Sequence, residues 1–100
     1  MTKGKLIKTE RTINIYKKTD SNVLEEPTKE INVDLIPFDI LKQTVTANID
    51  DTYLYDAYTL NEQQLTKLNS YLNDAIVPDF TAFEYYLECY GIYDWKEKET

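Results

Sequence analysis

One hundred residues with 42% hydrophobic content make a single domain with a modest core. The net charge is −7, and the longest apolar runs fall far short of the ~20 residues that a membrane-spanning helix needs. A lone cysteine, Cys89, excludes an internal disulfide, and the lysine-bearing N-terminus has no continuous apolar segment of the signal-peptide kind. A cytoplasmic protein is expected.

In "ERTINIYKK", residues 10–18, Ile13 and Ile15 alternate with Asn14 and Tyr16, the period of a half-buried strand. "TDSN", residues 19–22, supplies turn formers, and "TKEINVDL" resumes the alternation at Ile31, Val33 and Leu35. Two such runs around a turn predict an antiparallel hairpin. Pro27 lacks an amide hydrogen, so the second strand is expected at an edge or bulged near that point. A short helix over about 37–46 follows from Pro37 in the first turn and from Phe38, Leu41 and Val45 at helical spacing, with Ile40 widening the stripe.

"NIDD" reads as a loop. The next stretch, "DDTYLYDAYTL" (50–60), has strand parity, with Tyr53, Tyr55 and Ala57 on one face and Leu54, Asp56 and Tyr58 on the other. "LNEQQLTKLNSYLND" is the clearest helix, with an Asn61–Gln64 capping box and a Leu65, Leu68, Leu72 stripe. A second box, Thr81 with Glu84, favours a helix carrying Phe83, Tyr86, Leu87 and Tyr90 on one face and stopped by Gly91. A strand is the rival there, because Phe83, Tyr85, Leu87 and Cys89 also alternate. A charged tail (96–100) ends a folded core spanning 6–93. The expected order is ββαβαα: a small single-domain α+β fold with an N-terminal β-hairpin and a mostly antiparallel sheet.

The chain has no histidine, which removes the commonest general base, the Ser/His and Cys/His nucleophile systems and most zinc sites. Two glycines, Gly4 and Gly91, cannot build a phosphate-cradling loop. No cofactor or metal and no catalysis are expected. Asp50, Asp51 and Asp56 are the remaining candidates for carboxylate chemistry, and a solvated acidic face is the simpler account of them. Cys89 has no local base to activate it and reads as a small apolar residue.

What is abundant is tyrosine, nine in all, alongside uneven charge. Residues 1–49 hold eight basic and seven acidic side chains, and residues 50–100 hold three and eleven. The acidic half is repelled by phosphate, so direct nucleic-acid or membrane binding is disfavoured and a basic protein is the complementary partner. Ordinary solubility accounts for the same charge without a partner. Tyrosine suits protein interfaces because it joins a broad ring to a polar tip. Acids and tyrosines coincide in "DDTYLYDAY" and "FEYYLECYGIYDW". The candidate partner-binding residues are therefore Asp50, Asp51, Tyr53, Tyr55, Asp56, Tyr58, Glu84, Tyr85 and Glu88, while Tyr71, Tyr86 and Tyr90 fall on or near core stripes.

The pieces "INIYKKTDSNVLEE" leading to "KEINV", the central "DDTYLYDAYTLNEQQLTKL" and the late "DFTAFEYYLE" resemble immunity proteins of secreted bacterial polymorphic toxins, including contact-dependent growth inhibition systems. Tyr55, Asp56 and Tyr58, and then Phe83 to Glu88, match that family's aromatic motifs. The resemblance implies neutralisation of a cognate toxin domain by tight binding, and many such toxins are basic nucleases, often ones that cut transfer RNA. It supplies no binding residues. An acidic nucleic-acid mimic that blocks a host or phage nucleic-acid-binding protein is the alternative. A small carboxylate enzyme and a self-pairing subunit are further ones, although a monomer is favoured.

Overall fold

A computed structural model describes residues 5–18 and 26–94, with side chains over 8–18 and 26–91. Along the chain run β1 (Lys5–Lys17), β2 (Lys29–Asn32), α1 (Phe38–Thr44), β3 (Tyr58–Thr59), α2 (Glu62–Ser70) and β4 (Phe83–Asp94). The strands form one antiparallel sheet in the order β2-β1-β4-β3, so the expected α+β class and antiparallel hairpin hold. β2 lies at an edge, as Pro27 required. The turn expected at 19–22 and the tail at 96–100 lie outside the described residues.

The final element corrects the expected order. Residues 83–94 form a strand, not a helix, giving ββαβαβ. The helix-start signal is confined to a single turn. Asp79, not Thr81, caps it by accepting from the Thr81 and Ala82 amides, and the Phe83 amide closes it on the Asp79 carbonyl at 3.0 Å. Beyond Phe83 the chain pairs with β1 along its length, from Lys17↔Phe83 to Lys5↔Asp94. Gly91 sits inside that ladder opposite Thr9 and stops nothing.

Strand parity then decides the layers. Ile13 pairs with Leu87 and Ile15 with Tyr85, and all four face the core. Leu41 and Val45 from α1 and its flank, with Leu65 and Leu68 from α2, close over that face. Burying these side chains is the main stabilising term, roughly 1.5–3 kcal/mol each. The Asn61–Gln64 capping box is present, each side chain bonded to the other's amide at 2.8 Å, and Gln64 also donates to the Thr44 carbonyl, joining the two helices. α2 ends at Ser70, earlier than its apolar stripe suggested. Asn73 and Asp74 then take left-handed φ values of 55° and 54°, which their short polar side chains tolerate. Buried Asn69 pins this turn through both bonds to the Ile76 backbone. Tyr71, expected near the core, is exposed.

Among the described residues, no helix packs on the opposite face of the sheet. Its even-numbered residues include Thr12, Asn14 and Tyr16 on β1 and Glu84, Tyr86, Glu88 and Tyr90 on β4. Asn14 is nonetheless 0% exposed. A polar network fills the layer: Thr12 donates to Asn14 at 2.6 Å, Asn14 to Tyr90 at 2.6 Å, and Tyr16 to Glu88 at 2.6 Å. The Tyr16 and Tyr86 rings meet edge to face at 5.4 Å.

Candidate protein-binding surface

The stretch 50–57 is a loop, not the strand its alternation suggested; only Tyr58 and Thr59 pair with β4. The cause is Asp51. Its carboxylate accepts from the Tyr55 amide at 2.8 Å, the Asp56 amide at 2.9 Å and the Tyr58 hydroxyl. An aspartate that takes its neighbours' amides competes with a strand ladder and closes a turn. Leu54 follows the turn into a left-handed φ of 55° and drives its side chain into the core. Arg11 holds the other side of the loop. Its Nη2 donates to the Tyr53 carbonyl, and its guanidinium lies over the Phe38 ring, 4.9 Å from the centroid. Asp34 accepts from the Arg11 amide at 3.2 Å.

This clamp projects two aromatic rings. Tyr53 is 59% exposed and Tyr55 56%, their centroids 5.8 Å apart. Asp50 and Asp56 are exposed on the same loop, and Ile49 before them is fully open. Asp50, Asp51 and Asp56 line one shallow hollow of about 460 Å³ with Asn48 and Ile49. Among the described residues, no three His, Cys, Asp or Glu side chains are grouped to hold a metal ion.

Two candidates from the sequence are not surface residues. Tyr58 is buried at 7%, its hydroxyl given to Asp51. Tyr85 is buried at 2%, its hydroxyl accepting from the Asp79 amide at 2.9 Å. A helix would have turned Tyr85 outward; the strand turns Tyr86 and Tyr90 out instead. Glu84 and Glu88 do reach the surface, but on the open sheet face. The Arg11–Tyr53 contact places the loop on the helix-bearing side, so the nine candidates divide between two sides of the sheet. The partly exposed tyrosines of the open face, Tyr86 and Tyr90, escaped the sequence reading. Their signal was the even parity of 84–90, legible only with the strand assignment.

Electrostatics separates the two groups. The Tyr58 hydroxyl first, and then the Asp56 amide, hold the Asp51 carboxyl below its ordinary value, with Arg11 adding to the effect. Burial first, then the bond to Glu88, pushes the Tyr16 phenol up. Burial also raises Tyr90 and Tyr86, near Glu88. These hydroxyls therefore remain protonated donors at neutral pH.

The Asp51 shift fixes a pH response. A carboxyl whose folded value lies below its unfolded one stabilises the loop fully above the unfolded value and loses that contribution as pH falls through the folded one. The clamp is expected to persist on acidification past 3.8, the ordinary aspartate value, and to release only below it. Carboxyl-carbon NMR through an acid titration checks this; an Asp51 midpoint at or above 3.8 contradicts the clamp.

No helix among the described residues is long and apolar enough to cross a membrane. No curated protein and no solved structure matches the chain. Residues 10–88 do match a family model, described as a domain of unknown function (DUF7683), and the chain belongs to that family.

Proposed function

We propose that this protein is an immunity protein, which binds a cognate toxin domain and occludes its active site without catalysis of its own. The observation that carries this reading is the clamped loop: two exposed tyrosine rings side by side, with the exposed carboxylates of Asp50 and Asp56 on the same loop. Rigid aromatics with acidic neighbours suit the basic cleft of a nuclease, where carboxylates stand for phosphates and rings occupy base-stacking positions. The partner is then a basic nuclease, of the transfer-RNA-cutting kind, and the protein acts in the cytoplasm of the toxin-producing cell or its siblings.

Co-expression with the protein encoded by the adjoining upstream reading frame tests this through growth and co-purification. Asp50→Lys with Asp56→Lys reverses two charges while leaving Asp51 to hold the loop. The association rate is expected to fall by about tenfold or more, with reduced salt dependence and lost protection. Full protection by the folded double variant removes the loop from the interface. Failure of the neighbouring protein to be toxic or to bind removes the immunity reading itself.

A further inference from the structure

The edges of the sheet are guarded unequally. β2 is four residues long, follows Pro27 and opens on Lys29, all features that blunt an edge. Where β1 runs past β2 it is bulged between Leu6 and Lys8 and carries lysines at 5 and 8. β4 has no such guard. It continues to Asp94, yet β3 covers it only at Tyr86 and Leu87.

The direction of the free groups follows from the ladders. The Arg11 and Ile15 carbonyls accept from Val33 and Thr28, so odd residues of β1 turn toward β2 and even ones toward β4. Glu88 and Tyr90, opposite Thr12 and Glu10, therefore bond to β1. Odd residues of β4 face the other way, as the 2.8 Å bond from the Leu60 amide to the Tyr85 carbonyl requires. Cys89 and Gly91 thus turn N–H and C=O to an edge where, among the described residues, no strand pairs with them. The sequence there, "ECYGIYD" (88–94), has no lysine or proline, and the bulge lies on β1, not β4.

We propose that the Cys89–Gly91 edge of β4 is a β-strand-addition site, which takes an extended basic strand from a partner protein. Segment 88–94 carries two acids and no base, and the net charge of −7 opposes a second copy of this chain. Backbone bonds supply the attachment, and the negative net charge favours lysine or arginine on the incoming strand. That the partner is the toxin rests on the preceding reading; the edge itself is tested without it.

The probe is an end-capped octapeptide of alternating threonine and lysine, with a threonine–glutamate octapeptide as its opposite. Amide exchange by NMR is expected to be at least tenfold faster at Cys89 and Gly91 than at Glu88 and Tyr90 in the free protein. The basic peptide slows the first pair at least threefold, and the acidic one does not. Gly91→Pro removes an outward donor while sparing the bonds to β1, and Gly91 has no positive φ that proline would forbid. It is expected to weaken the basic peptide at least fivefold, against less than twofold for Gly91→Ala. If Gly91→Pro does not fold, the exchange data on the unmodified protein decide alone. Absence of protection, or equal protection by both peptides, overturns the proposal. So does protection without peptide that grows with protein concentration alongside a dimer, which assigns the edge to a second copy. Toxin that co-purifies while these amides stay unprotected removes the toxin as the occupant of the edge and spares the immunity reading; edge protection by the basic peptide without any cognate toxin removes the immunity reading and spares the edge.

Discussion

Tyr85→Ala is expected to destabilise the domain by about 3–5 kcal/mol, the range for deleting a fully buried aromatic side chain. Tyr85 packs against Phe80 at 4.8 Å between centroids, sits opposite Ile15 in the ladder, and accepts the Asp79 amide. Its loss opens a cavity beneath the helices and leaves that amide without its acceptor. Tyr86→Ala, one residue on, is expected to cost only about 1 kcal/mol, since it removes an edge-to-face contact with Tyr16 on the open face. Urea unfolding of both variants measures the difference. A helix over 82–90 would reverse the order, because Tyr86 lies on its apolar stripe and Tyr85 does not. Equal or reversed values would contradict the parity of β4, and with it the division of the tyrosines between core and surface.

That division marks what was legible in the sequence. Where one period alone fitted the apolar residues, the element followed from it, as with Ile13 and Ile15 in β1 or Leu65 and Leu68 behind the Asn61 cap. Residues 83–90 satisfy both periods, since an aromatic-rich run puts a large side chain on every face. Long-range pairing with β1, which no local pattern contains, settles it as a strand. The loop failed for a different reason. Its alternation was genuine, but alternation describes side chains, whereas Asp51 acts on the backbone by taking two amides that a ladder would need. The spacing of Asp51 from Tyr55 and Asp56 was the available signal, and it is a weak one beside six residues of strand-like parity. The acidic, tyrosine-bearing character of the region survived both corrections because it depends on composition and exposure.

Truncating the exposed tyrosines gives the largest expected change in binding. Tyr53→Ala and Tyr55→Ala are each expected to raise the Kd for the neutralised partner by about tenfold or more, and the double variant by more than either. The reason is preorganisation. Asp51 fixes the amides on either side of the Tyr55 α-carbon and Arg11 fixes the Tyr53 carbonyl, so the rings arrive with little backbone freedom left to lose. The loss should appear chiefly as faster dissociation, in contrast to the slower association expected from reversing Asp50 and Asp56. Phenylalanine at both positions keeps the rings and removes only the hydroxyls, so its effect should be the smallest. Asp51→Asn leaves both rings in place but weakens the charged acceptor that orients them. It is expected to fall between the phenylalanine and alanine variants, with faster amide exchange at Tyr55 and Asp56 already in the free protein. Unchanged dissociation in the double alanine variant would remove the rings from the interface. If instead Asp51→Asn loses binding while the free-protein exchange does not change, the carboxylate itself is the contact and the clamp is not what matters.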